Sequence, residues 1–331
     1  MIIYEQNFFG LTTSNIASNF KLTYNVQGVG AIYSRWPSNT SGANMYNSYL
    51  LAGVTGSNPI YCGMAVRQTG GTFLLLIRQN GTTHVDLVSS NGLITVRRGG
   101  STTLATYTIP NYVSNNWYYY EFGAVIDDIS GSVHVRLNAQ TVISASGLDT
   151  RNGVLAYADE VRVDQQSDFT YITDWYITNT QGSNPATNGF LGDIRIFSTT
   201  PTASGDTINF TPLSSSNALM VDDGNSPDND VTFVSASLPN SMDLYKTVEY
   251  TGSVTQIYGL GVKALARKTE PGSRAMQIAI KSGSTFAYSP SESILDSYRY
   301  HAGIFETNPN TGTPWSSLSD VNNTQIGFTI L

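Results

Sequence analysis

Trp117-Tyr118-Tyr119-Tyr120-Glu121-Phe122, followed after a short Asp/Gly turn by Val133-His134-Val135-Arg136-Leu137-Asn138, decides the fold. Side chains of a strand point to opposite faces at every second residue, so Val133, Val135 and Leu137 face a core while His134, Arg136 and Asn138 face away. An aromatic strand running into an alternating one reads as a half-buried antiparallel sheet, and the chain as all-β.

The punctuation upstream agrees. Phe73 to Arg78 is closed by Asn80-Gly81, Val85 to Val88 by Asn91-Gly92, and Leu93 to Arg97 by Gly99-Gly100. Each dipeptide tolerates the positive φ that a two-residue hairpin turn requires, so the spacing predicts a meander of neighbouring strands. Glu160-Val161-Arg162-Val163-Asp164, Asp174 to Ile177 and Ile194 to Phe197 read as further strands. In the second half Tyr258 to Arg267, Ala275 to Ile280 and the terminal Gln325 to Leu331 do the same. No apolar stripe at 3.6-residue spacing is long enough for a substantial helix. Ser198 to Asp206, small and polar with Pro201 and Gly205, reads as a linker. The expected plan is a β-sandwich over residues 1–197, a linker over 198–206 and a smaller antiparallel β-sandwich-like domain over 207–331.

Only 12% of the 331 residues are charged, against 11% aromatic, and the formal net charge is −7. Phosphate neutralisation needs clustered Lys and Arg, so this balance argues against a nucleic-acid partner. Arg97-Arg98 and Arg267-Lys268 read as hairpin ends. A surface of Ser, Thr, Asn, Gln and Tyr suits rigid protein assembly or hydroxyl-rich ligands such as glycans. The single Cys62 excludes an intrachain disulfide framework and sits in the apolar run Ile60 to Val66, as a buried, inert thiol would. Met1 to Glu5 does not read as a secretory signal, and no apolar run reaches membrane-spanning length.

Asn116 to Phe122, Gly131 to Asn138, Ile172 to Ile177 and Phe190 to Phe197 occur in an order that resembles the concanavalin A-like or laminin G-like jelly roll, over most of Met1 to Phe197. That fold hosts lectins, glycosidases and spacers alike. The second half, in Met220-Val221-Asp222-Asp223, Pro227-Asp228-Asn229-Asp230, Asp243-Leu244-Tyr245, Ala264 to Lys268, Gly272-Ser273-Arg274 and Phe305 to Trp315, resembles a C-terminal module of tailed-bacteriophage virion proteins. The resemblance implies a non-enzymatic structural component of the virion, associated with tail, baseplate or fibre. Its partners would be other virion proteins and further copies of itself, with a host-surface glycan as ligand. A head decoration or head-fibre protein is the alternative.

The chemistry sought within this frame is sparse. Jelly-roll glucanases carry Glu-x-Asp-x-x-Glu, which this chain lacks; a tail-borne polysaccharide depolymerase would have to rely on Glu160 and Asp164. The even spacing of Glu160, Arg162 and Asp164 reads more simply as an alternating-sign ladder on a solvated strand. Asp222 to Asp230 packs oxygen ligands together but lacks the spacing of a calcium loop and reads as an ordinary turn. His84, His134 and His301 have no zinc-like spacing and read as solvent-facing residues. Neither metal nor cofactor is expected. Arg35 to Tyr46 mixes aromatics with Asn in a loop, which makes Trp36, Asn39 and Tyr46 the candidate glycan contacts. The plainer reading of that segment is Trp36 packed at a strand end beside a loose loop.

Overall fold

The computed structural model describes residues 2–6, 21–24, 32–35, 45–50, 58–165, 170–180, 182, 184–224 and 227–331, with side chains from residue 58 onward except those of 165, 170 and 171. The described residues divide into two compact units, the first ending at Ile196 and the second running from Phe197 to Leu331. In chain order the first unit contains β1 (Ile2–Gln6), β2 (Lys21–Tyr24), β3 (Ile32–Arg35), β4 (Met45–Leu50), β5 (Ile60–Gln68), β6 (Thr72–Gln79), β7 (Thr82–Ser90), β8 (Leu93–Arg98), β9 (Thr102–Thr108), β10 (Trp117–Val125), β11 (Gly131–Leu137), β12 (Gln140–Leu148), β13 (Glu160–Gln165) and β14 (Thr170–Asn179). They build an eight-stranded sheet, ordered β12-β11-β10-β5-β14-β3-β2 with β1 also on β14, and a six-stranded sheet ordered β4-β13-β6-β7-β8-β9. Every pairing is antiparallel.

The two sheets pack as a jelly-roll sandwich. Phe73 of the six-stranded sheet meets Tyr120 of the other edge to face, centroids 5.6 Å apart, and the Tyr120 hydroxyl lies 3.0 Å from Ser89 Oγ. Phe73, Leu75, Ile77, Val85, Leu87, Ile94, Val96, Val161 and Val163 supply one inner face; Met64, Cys62, Tyr120, Phe122, Val133 and Val135 supply the other, all buried. The meander from β6 to β9 turns at Asn80-Gly81, Asn91-Gly92 and Gly99-Gly100, all six residues at positive φ as the turn chemistry demands. A fourth such turn joins β11 to β12 through Asn138 (φ 49) and Ala139 (φ 64), where no glycine announces it. Arg136 Nη2 donates to the Ala139 carbonyl at 2.8 Å, and the Asn138 amide oxygen accepts from Tyr119 N–H at the same distance.

The aromatic strand β10 is not half-buried: Tyr119, Tyr120, Glu121 and Phe122 are all at or below 2% exposure. Segment 189–196 crosses its outer face, which is why both parities are covered. That segment was expected to end in a strand at Ile194 to Phe197, but it joins no ladder; it is a strap hung on side chains. Gly192 N–H donates to Glu121 Oε1 at 2.7 Å, Leu191 N–H to the Tyr176 hydroxyl at 2.9 Å, and Ile196 N–H to Asp174 Oδ1 at 2.9 Å. Tyr176 in turn donates to Glu121 Oε1 at 2.5 Å, and Arg136 Nε stands 3.4 Å from Glu121 Oε2. Glycines make room for these rings. A Cβ on Gly63 would sit 2.4 Å from the Tyr176 ring, and one on Gly123 would sit 2.5 Å from Tyr61, itself packed edge-on to Phe190 of the strap.

In the second unit, strands Pro201–Ile208, Met242–Thr247, Gln325–Ile330, Ala275–Ser282 and Thr285–Tyr288 form one sheet in that order, with Glu292–Ser293 also against Ala275–Ser282. A two-stranded pair, Leu260–Ala266 with Arg299–Phe305, stacks over it through Val262 and Phe305, which share a core with Met276, Ile278, Ile280, Trp315 and Ile330. The stretch expected as a linker, 198–206, instead supplies most of the first strand. Pro201 opens it, where a missing N–H costs little, and Thr202 Oγ1 donates to the Lys246 carbonyl at 3.3 Å. The organising polar residue is Asp243, fully buried. Its oxygens accept from Asn209 N–H, Phe210 N–H, Asn217 Nδ2 and the Tyr245 hydroxyl at 2.6 to 2.9 Å. The one α-helix among the described residues, Leu318–Asn322, is capped by Ser317; no helix there is long and apolar enough to cross a membrane.

Two stability effects follow from this geometry. Ala139 holds a left-handed conformation, so Ala139→Gly removes strain at the hinge of β11 and β12; a gain of about 0.5–1 kcal/mol is expected in urea unfolding. Burial pushes the Asp174 carboxyl up to about 6, against the opposing pull of the Ile196 N–H bond and Arg195. A raised carboxylate binds its proton more tightly in the folded state, so its contribution to stability declines as pH rises from about 4 through 6. Asp174→Asn keeps an acceptor for Ile196 and tolerates φ +53. It is expected to raise stability at pH 7.5 by about 1–3 kcal/mol and to leave pH 4 unchanged, read from unfolding midpoints across pH.

Candidate functional site

The outer face of the six-stranded sheet carries the charged residues Glu160, Arg162 and Asp164. Register places Ser48, Arg162, Leu76, Asp86, Arg97 and Thr103 in one transverse row across β4, β13, β6, β7, β8 and β9. A neighbouring row runs Tyr46, Asp164, Leu74, Val88, Thr95 and Thr106, and on the other side Leu50, Glu160, Arg78 and Thr83 align. With strands about 4.8 Å apart, the face is roughly 24 Å wide.

Every carboxylate on it is held by a guanidinium. Arg78 Nη1 reaches both Glu160 oxygens at 2.9 and 2.8 Å; Arg97 grips Asp86 through Nε and Nη2, both at 2.9 Å; Arg162 grips Asp164 at 2.5 and 2.9 Å. The side chains of Glu160, Asp86 and Asp164 are 9%, 2% and 10% exposed, those of Arg78, Arg97 and Arg162 15%, 26% and 19%. The expected ladder is therefore present but not solvated: its acids lie beneath its arginines, with Leu74 and Leu76 buried between them. Burial raises the Asp86 and Asp164 carboxyls above the ordinary range, against the lowering pull of Arg97 and Arg162.

The Glu160–Asp164 pair does not have glycosidase spacing. Glu160 and Asp164 are four residues apart on one strand, roughly 13 Å, whereas paired glycosidase carboxylates stand about 5–9.5 Å apart. Each also has its own arginine.

Tyr46 is in register with Asp164 in the β4–β13 ladder. Trp36 and Asn39 lie outside the described residues. The histidines depart from expectation. His84 is fully buried where β7 bulges, its Nε2 3.1 Å from the Tyr157 carbonyl and its Nδ1 accepting from Asn152 N–H at 3.0 Å, which clamps the loop before β13. His301 is 2% exposed and bonds Glu292 at 2.9 Å. Only His134, 3.2 Å from Ser144, stays partly exposed. Cys62 is fully buried with its thiol pushed up by burial, an inert arrangement. In the acidic loop, Asp223 and Asp228 bond Thr232, and Asp230 bonds Arg267 and Tyr298. Among the described residues no three His, Cys, Asp or Glu side chains are grouped to hold a metal ion.

No family model and no curated protein matches the chain. Solved structures do. The carbohydrate-binding module CBM66 from Bacillus subtilis aligns at 14% identity over 47% of this chain and 90% of its own, TM-score 0.31. Lectin II from Ulex europaeus aligns at 9% identity over 53% and 97%, TM-score 0.35. An endo-β-1,4-glucuronan lyase from the fungus Trichoderma reesei aligns at 10% identity over 53% and 89%, TM-score 0.37.

Removing one partner of a buried ion pair strands the other. Arg78→Ala leaves the Glu160 carboxylate without its fork and is expected to cost about 3 kcal/mol, while Arg78→Leu with Glu160→Leu together costs far less, by chemical denaturation of the two variants.

Proposed function

We propose that this protein is a non-enzymatic bacteriophage virion component, tail-associated, whose six-stranded sheet holds a saccharide of the host surface against its outer face. The observation that carries the binding reading is the ladder itself. Three carboxylates already neutralised by arginines leave fixed guanidinium N–H groups as the more accessible polar layer, a rigid set of donors for hydroxyl oxygens. The low charge of the whole chain leaves little electrostatic attraction for other ligand classes. The virion assignment is supported by the resemblance of residues 206–331 to the phage module, and by two β-rich units whose edges suit assembly with neighbours and copies.

Lysine keeps the charge but loses the fork, so Arg97→Lys with Arg162→Lys tests the face without stranding a carboxylate. Wild-type protein is expected to be retained on immobilised host-surface polysaccharide and the double variant about ten-fold less; equal retention of both removes the face from the reading. Immunogold labelling of purified particles tests placement, and particles that carry no label exclude a virion role.

A further inference from the structure

The strand Thr285–Tyr288 in the second unit carries its hydrophobic residues the wrong way round for a folding role. Ala287 faces the core of that unit, while Phe286 and Tyr288 face away, 36% and 45% exposed. Their rings lie parallel, 5° between planes and 6.0 Å between centroids. Lys281 stands opposite Phe286 in register, its Nζ 5.7 Å from the ring centroid, and pairs with Asp206 at 2.5 Å. On the next strand Gln325 is in register with Lys281, and its Oε1 accepts from Asp206 N–H at 2.7 Å. Two exposed rings are thus bordered by an ammonium, a half-exposed carboxylate and an amide, fixed to one another.

We infer that Phe286 and Tyr288, with Lys281 and Asp206 at their margin, form a second saccharide-binding platform, independent of the sheet face in the first unit. A pyranose has one face of C–H groups and a rim of hydroxyls; the rings take the first, and the Lys281–Asp206 pair supplies a donor and an acceptor for the second. Size excludes the main competitor. The exposed parts of two aromatic side chains amount to on the order of 150 Å², about a fifth of what each partner gives to a standard protein–protein interface, but enough for one or two sugar rings. Asp206 beside the rings and a net charge of −7 disfavour an anionic lipid surface.

The test uses the full chain titrated with cellohexaose, chitohexaose and hexagalacturonate by calorimetry, in wild type, in Phe286→Ser with Tyr288→Ser, and in Arg97→Lys with Arg162→Lys. At least one hexasaccharide is expected to give wild type a binding event that the aromatic variant weakens ten-fold or more and that the arginine variant, whatever it loses at the first-unit face, still shows. The aromatic variant is expected to keep the wild-type unfolding temperature. Binding lost only in the arginine variant overturns the platform and leaves the first-unit face standing; binding by none of the three sugars, or a marked fall in unfolding temperature on removing the rings, overturns the platform as well.

Discussion

Burial of β10 on both faces is the constraint from which the first unit is organised. An outer face of a sandwich is normally solvated, yet here Glu121, Tyr119 and Tyr176 lie beneath a strap that forms no ladder. An extended segment crossing a sheet must satisfy its backbone N–H groups without neighbouring strands. Glu121, Tyr176 and Asp174 do this from below, and Gly63 and Gly123 let the rings lie close enough to reach. The buried Glu121 and Asp174 carboxylates thus hold this segment in place.

The second unit repeats the device on a smaller scale. Asp243 gathers four donors from the segment following its first strand and from its own strand, and so ties the chain entry to the sheet. In both units buried acids fix irregular backbone that hydrophobic packing alone would leave unspecified: Glu121 and Asp174 in the first, Asp243 in the second. On the six-stranded sheet the same pairing economy appears in the open: each acid has an arginine, the charge cancels locally, and the face becomes polar without becoming charged. That local cancellation matches the scarcity of charge in the whole chain.

Hairpin registers were legible residue by residue, because Asn-Gly and Gly-Gly turns encode positive φ and strand alternation encodes which side chains enter the core. Val133, Val135 and Leu137 face inward as the alternation predicts. The turn at Asn138-Ala139 was not legible, since alanine carries no signal for a left-handed backbone that Arg136 stabilises from three residues away. The ladder of Glu160, Arg162 and Asp164 was visible on its own strand, but its partners Arg78, Asp86 and Arg97 lie on strands far away in sequence. Whether such a ladder is solvated depends on those partners. His84 and His301 are buried rather than solvent-facing; for the first, a bulge in β7 turns the ring toward a loop some seventy residues later, which alternation on its own strand does not encode.

Local chemistry thus determined the all-β character, the meander, the inert Cys62 and the shortage of helix, because propensity, turn conformation and alternation act over two to ten residues. Tertiary structure alone decided that residues 201–208 join a sheet, that segment 189–196 is a strap, and that Phe286 and Tyr288 stand exposed over Lys281. Each of those outcomes depends on which distant backbone a side chain or strand edge meets, and period-two patterning carries no information about that.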